Sequence, residues 1–168
     1  MKKIGLFYSY NTKKTAQAAK KIAELLGEEN VDQINAEETT EKQFIKYNNL
    51  ILGVPTWFDG ELPNYWDELI PAIEDLDLKG KKIAIFGAGD QVGYSENFVD
   101  GIGIIARILE QQGATIIGLT STDGYTFENS KALRGKNFIG LALDFENQVG
   151  KNKERIAKWC EQIMKEFQ

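Results

Sequence analysis

Seven residues near the start of the chain, Ser9-Tyr10-Asn11-Thr12-Lys13-Lys14-Thr15, place hydroxyl, amide and ammonium groups between the apolar run Ile4 to Tyr8 and the helix-patterned Ala16 to Leu26. A strand that breaks into such a loop and enters a helix makes an anion site, because loop N–H groups and hydroxyls converge on the positive end of the helix. Two later segments offer flat apolar surface. Pro55 to Pro63 is turn-rich yet sets Trp57 beside Phe58, and the glycine-rich Gly87 to Tyr94 ends in an aromatic ring. Trp57 alone fits a core or a dimer contact, and Tyr94 alone fits packing as well as stacking. On loops expected to converge, stacking on a shared ligand is the favoured reading.

Several phosphate ligands are disfavoured by the residues themselves. A nucleoside triphosphate site needs G-x-x-x-x-G-K-[ST], and Ser9 to Thr15 contains no glycine. In the dinucleotide pattern G-x-G-x-x-G the third glycine arrives one position late, at Gly93, and the pattern follows a late strand instead of the first. A phosphoacceptor receiver needs acidic residues at the end of the first strand, whereas that strand ends in Tyr8-Ser9. What remains is a ligand with one phosphate, a polar linker and a large flat ring.

The elements that must position these loops follow from the hydrophobic pattern. Ala18, Ala19, Ile22, Leu25 and Leu26 recur at helical spacing, with Gly27 as C-cap. Val31 to Asn35 reads as a short strand. Thr40 and Gln43 form a capping box that opens a brief helix to about Tyr47. Leu50 to Val54 is an apolar run without alternation, as in a strand covered on both faces. A helix starts near Tyr65, with Trp66 buried and Asp67 and Glu68 exposed, and Pro71 is expected to end or kink it. Lys82 to Phe86 is the next strand. Phe98, Ile102, Ile105 and Leu109 mark a helix closed by Gly113. Thr115 to Leu119 is a fifth apolar run, Thr120 to Lys136 an excursion without apolar pattern, and Phe138 to Leu143 a resumed strand. The stripe Ile156, Trp159, Cys160, Ile163, Met164 and Phe167 closes the chain as an amphipathic helix. Alternating strands and helices of this kind predict a parallel sheet between helix layers, with ligands beyond the carboxyl ends of its strands.

The totals narrow the chemistry further. The 168 residues suit one domain with its own core. With 20 basic and 25 acidic residues the net charge is −5, which disfavours nucleic acid and anionic membranes and suits basic protein partners. The chain has no histidine and one cysteine, Cys160, read as a core residue. Imidazole-assisted nucleophiles, histidine-ligated metals, internal disulfides and multi-cysteine clusters are thereby excluded. Two N-terminal lysines without a following apolar core, and no apolar run of spanning length, predict a soluble cytoplasmic protein. Glu37-Glu38 reads as a solvated face.

These segments together resemble the flavodoxins over essentially the whole chain. The resemblance rests on Asn11, Thr12 and Thr15, on P-T-W at Pro55 to Trp57, on G-D-Q-V-G-Y at Gly89 to Tyr94 with Asn97, and on S-T-D-G-Y at Ser121 to Tyr125. The last of these, with Gly140 to Asp144, is similar to the inserted loop and resumed strand of the long-chain subgroup. The resemblance implies an α/β three-layer sandwich with a five-stranded parallel sheet in the order 2-1-3-4-5, an order known for this family, and a loop inserted in the fifth strand. It further implies a monomeric, non-enzymatic carrier of non-covalent FMN that moves low-potential electrons through the semiquinone/hydroquinone couple. Partners would be redox proteins with basic docking surfaces, for example a ferredoxin/flavodoxin-NADP reductase. The alternatives are an FMN-dependent quinone or NAD(P)H oxidoreductase on the same fold, and a non-redox binding module.

By position, the resemblance implies that Tyr10, Asn11, Thr12, Lys13, Lys14 and Thr15 hold the phosphate, and that Thr56 and Glu146 lie near the ribityl chain. Trp57 and Tyr94 would stack on opposite faces of the isoalloxazine. Ala88, Gly89, Asp90 and Asn97 would meet its pyrimidine edge. The Phe58–Asp59 peptide would face N5, with Gly60 as a flexible neighbour. The family usually has glycine where Lys13 stands and often a small residue where Tyr10 stands. The expectation is that the Lys13 and Lys14 ammonium groups point to solvent and the loop keeps its shape.

Overall fold

In the computed structural model, which describes residues 3–168, the central strand β1 (Ile4–Tyr8) is buried along its whole length. The expectation for the chain's first residues involves Met1 and Lys2, which lie outside the described residues. β1 pairs in parallel with β2 (Val31–Asn35) on one side and β3 (Asn49–Gly53) on the other. β4 (Lys82–Ala88) joins β3. The predicted order 2-1-3-4-5 is the observed one.

Successive residues of a strand point to opposite faces, so an unbroken apolar run needs cover on both. The structure supplies it. Ile4, Leu6, Ile51, Ala84 and Phe86 face the layer of α1 (Lys14–Leu26) and α5 (Val149–Glu166). Phe7, Leu50, Leu52, Ile83 and Ile85 face α3 (Asn64–Glu74) and α4 (Asp100–Gln111). Each of the buried leucine, isoleucine and phenylalanine side chains contributes about 1.5–3 kcal/mol relative to exposure. The predicted capping box opens α2 (Glu41–Ile45): Thr40 and Gln43 exchange both bonds.

Three expectations need correction. Pro71 neither ends nor visibly breaks α3, which continues to Glu74. Pro71 lies on the exposed face, so the carbonyl it leaves without a donor meets water, while Trp66 and Ile73 are fully buried. The helix near Phe98 begins at Asp100, because Phe98 and Val99 are drawn into the core ahead of it. The insertion expected in the fifth strand is present, and the structure adds a sixth strand there: β5 (Thr115–Ile117) pairs with Lys82 to Ala84, and β9 (Leu141–Leu143) pairs with Phe86 to Ala88. The insertion splits that position. It carries its own antiparallel sheet of β6 (Thr120–Ser121), β7 (Leu133–Arg134) and β8 (Asn137–Phe138), so Phe138 belongs there and not to the resumed strand.

Polarity conceals the insertion's core from a pattern search. Tyr125, Phe127 and Phe138 pack against Phe98 and Phe138 against the other two, with ring centroids 5.0 to 5.9 Å apart. The Tyr125 hydroxyl donates to the Ala142 carbonyl at 2.6 Å, and Arg155 lies 3.8 Å from the centre of its ring. Arg134 and Glu110 form a two-bond ion pair at 2.7 Å.

Candidate functional site

Ser9 follows β1 into a loop closed by its own carbonyl, which accepts the Thr12 N–H at 3.3 Å and the Thr12 hydroxyl at 2.7 Å. α1 then starts with Lys13 as N-cap at φ −93°, ψ −61°, with no side-chain cap and no acid in its first turn. A helix leaves its first N–H groups without internal acceptors, so this end offers donors and a partial positive charge to an anion. The φ of Lys13 is one that any L-residue adopts, and the loop needs no glycine.

The charged side chains around this loop are arranged differently from expectation. Lys13 is exposed, but the Lys14 ammonium pairs with the Glu146 carboxylate across the loop instead of pointing to solvent. Glu37 is no mere solvated face. One of its oxygens accepts the hydroxyl of the buried Ser9, and the other accepts the Asn11 side-chain amide at 2.8 Å. Tyr10 turns away: its hydroxyl donates to the Gln33 carbonyl at 2.8 Å and its N–H to the Asn35 side chain at 3.3 Å. Its ring packs against Tyr8.

The second loop turns tightly. Trp57 and Glu61 exchange two backbone bonds of 2.8 Å, enclosing Phe58, Asp59 and Gly60. Phe58 sits at φ 48° and is 72% exposed. Gly60 is at φ 91°, and a Cβ there would lie 2.7 Å from an Asp100 carboxylate oxygen, so both backbone and space require glycine. Tyr65 packs edge-on under Trp57 at 6.0 Å, and burial pushes its hydroxyl pKa up.

The third loop is held from below by a carboxylate. Asp144, fully buried, accepts the Gln91 N–H and side-chain amide, the N–H groups of Glu146 and Asn147, and the Asn147 amide. Burial alone would raise its pKa, but the bonds from Asn147 and Gln91 outweigh burial and hold it below the usual carboxylate range. Asp90 caps its own turn, accepting the N–H of Gly93 at 2.8 Å and of Val92 at 3.1 Å. The Gly93 bond leads in holding its pKa low, and burial opposes it.

The three loops meet in two adjoining cavities at the carboxyl end of the sheet. One, of about 460 Å³, is lined by Asn11 to Thr15, Thr56, Trp57, Ala88, Gly89, Asp90, Tyr94 and Glu146. The other, of about 350 Å³, shares Thr56, Trp57, Gly89, Asp90 and Tyr94 and adds Phe58 and Asn97. Thus fourteen of the expected site residues line these two adjoining cavities. Tyr10, Asp59 and Gly60 do not: the first is turned back to β2, and the others sit in the turn behind Phe58. Pro55, Val99 and Phe145 also line the space and were not expected. Asp144 and Gln91 support it, and the signal for Asp144 was a polar residue directly after a buried strand. Among the described residues no group of acidic or cysteine side chains is placed to hold a metal ion. No helix among them is long and apolar enough to cross a membrane.

Comparison with known proteins gives a consistent answer. The flavodoxin family model matches residues 6–159. The chain is 43% identical to a flavodoxin of Nostoc sp. over 166 residues, covering 99% of this chain and 98% of that one. It is 41% identical to flavodoxin 2 of Escherichia coli, covering 98% and 96%. Among solved structures, Fusobacterium nucleatum flavodoxin bound to flavin mononucleotide superposes with TM-score 0.93 at 36% identity over the full length of both chains. A lysine-to-glycine variant of that protein, also bound to flavin mononucleotide, gives 0.94 at 35% identity, covering 100% of this chain and 98% of the other. A strand-ordered sheet with three loops on one cavity, a family match across most of the chain and relatives above 40% identity over nearly its whole length place this chain in the flavodoxin family.

Proposed function

We propose that the chain acts as one monomeric FMN-binding domain that shuttles single low-potential electrons between redox proteins. The observation that carries this reading is the lining of the two adjoining cavities, which have a donor-rich end at the start of α1 and an aromatic end at Trp57 and Tyr94. Those ends fit a phosphate and a flat ring joined by a polar linker. FMN, when bound, supplies one-electron chemistry.

The chain's own residues would bind, orient and bias it. Asn11 to Thr15, with the first N–H groups of α1, hold the phosphate. Thr56 and Glu146 border the linker, and Ala88, Gly89, Asp90 and Asn97 border the polar ring edge. Trp57 and Tyr94 exclude water from the ring faces. The carboxylates of Asp59, Glu61 and Asp90 oppose added negative charge at this end and lower the potential of the last electron. The turn at Phe58 to Gly60 offers a peptide whose carbonyl and N–H can exchange places beside the ring, with Gly60 absorbing the change in backbone angles. An acidic surface of net charge −5 steers toward partners with basic docking faces, as a ferredoxin/flavodoxin-NADP reductase would present.

Stepwise reduction of the FMN-loaded protein tests this. A carrier shows the broad long-wavelength absorbance of the half-reduced flavin at the midpoint, whereas an FMN-dependent quinone or NAD(P)H oxidoreductase bleaches in one two-electron step. Tyr94→Ala is expected to weaken FMN binding and to make the last reduction easier; an unchanged potential would refute the electrostatic account.

A further inference from the structure

We propose that Glu37 is a specificity-determining residue of the cofactor site: an anionic side chain of the protein itself that ties up phosphate-loop donors and limits how tightly the loop holds a phosphate. The inference rests on the placement of the FMN phosphate at Asn11 to Thr15.

Glu37 reaches the loop from the short 3-10 turn Ala36–Glu38 that follows β2. The Asn35 side chain accepts the N–H of both Glu37 and Tyr10 at 3.3 Å, so turn and loop are fastened to one acceptor. Both carboxylate oxygens of Glu37 are then spent on the loop, one on the Ser9 hydroxyl and one on the Asn11 amide. With its hydroxyl donating to Glu37, the Ser9 oxygen accepts the Asn11 N–H at 3.2 Å. Three donors at the start of the loop are therefore committed to a carboxylate or to a hydroxyl oriented by it. A carboxylate is an acceptor-only anion, and it engages these donors as a phosphate oxygen would.

Charge has the same direction. Of the two lysines beside the loop, Lys14 is matched by Glu146. Lys13 is exposed, and with Glu37 and Glu146 both bonded to the loop two ammonium and two carboxylate groups surround the cradle. A dianion entering it is held by backbone donors and the helix end, and it meets the like charge of Glu37 on the same loop. Glutamine at this position keeps one acceptor oxygen and the side-chain shape but removes the charge. A Ser9 hydroxyl can rotate to suit it.

The experiment compares FMN with riboflavin, which lacks the phosphate, by flavin-fluorescence titration of the apoprotein as wild type, Glu37→Gln and Glu37→Asp. Glu37→Gln is expected to bind FMN about tenfold more tightly and riboflavin within about twofold of wild type. The FMN gain should shrink toward about 1 M salt, where screening acts within roughly 3 Å. Inorganic phosphate, titrated into the apoprotein by calorimetry, should follow the FMN trend. Glu37→Asp, which keeps the charge, should retain the wild-type ratio of FMN to riboflavin affinity. Urea midpoints of all three apoproteins, measured alongside, separate a change in folding from a change in binding. A Glu37→Gln ratio equal to or below that of wild type would overturn the proposal, since a residue that merely supports the loop gives that result. Wild-type protein that binds riboflavin as tightly as FMN would instead overturn the phosphate placement itself.

Discussion

The two ends of the cavity are built on opposite principles. From Ser9 to Thr15 the backbone contains neither glycine nor a positive φ, and its polar groups are tied to Gln33, Asn35, Glu37 and Glu146. At the aromatic end, Phe58 and Val99 both sit at φ 48° and Gly60 at φ 91°, and Phe58 and Tyr94 are 72% and 51% exposed. A β-branched residue such as Val99 in that region is strained. A phosphate keeps its charge through a redox cycle, so fixed donors serve it. A ring that gains electrons changes its charge and its hydrogen-bonding pattern, and the backbone beside it must be able to follow.

The largest effect expected from breaking this contrast lies under the aromatic end. Asp144→Ala leaves the donors of Gln91, Glu146 and Asn147 without their buried acceptor and should cost about 3 kcal/mol in urea unfolding. A loss below about 1 kcal/mol would show that the Gly87 to Asn97 loop stands without it. Next comes Gly60→Ala, which strains a positive φ and crowds Asp100; about 1–3 kcal/mol of stability should be lost. Its signature is a changed separation of the two one-electron potentials, read by potentiometric titration, with FMN affinity moved less.

Acid pH should act more gently and with two signs. Asp90 and Asp144 have pKa values held below the ordinary carboxylate range, so the stability they contribute is present above that range and is lost as pH falls through their lowered values. Asp100 is pushed up by burial, and its protonated form favours the native state, so its contribution is lost as pH rises through its raised value. Urea midpoints followed from about pH 6 to pH 2 should fall, and Asp144→Asn should flatten that fall. The smallest effect belongs to the cradle. Lys13→Gly should fold and bind FMN with at most about 1 kcal/mol of lost stability, because the native φ of −93° suits a lysine and glycine adds only chain entropy. Wild-type FMN affinity should vary little with salt, as expected for a site whose flanking charges balance; a steep decline would break that account.

Much of this protein is legible in its residue order. The buried strand Ile4–Tyr8, the strand Val31–Asn35, the Thr40–Gln43 capping box and the helix start at the end of Ser9 to Thr15 are local patterns, and local patterns survive folding. The convergence of three loops follows from their shared place after parallel strands. Other features depend on partners far away in the chain. Ser9 and Glu37 are 28 residues apart, and Gln91 and Asp144 are 53 apart. No periodicity announces such pairs. The split of the fifth sheet position into β5 and β9, the passage of α3 through Pro71 and the turn of Tyr10 toward β2 were decided by which faces met water and which met the core. The sequence by itself determined the succession of strands and helices, the donor-rich helix start and the aromatic loops, because each is encoded within a few consecutive residues. Only the tertiary structure decided that Lys14 meets Glu146, that Glu37 grips the loop and that Asp144 supports the ring end. Those contacts are long-range hydrogen bonds and ion pairs, and the chain makes them only after the layers have packed.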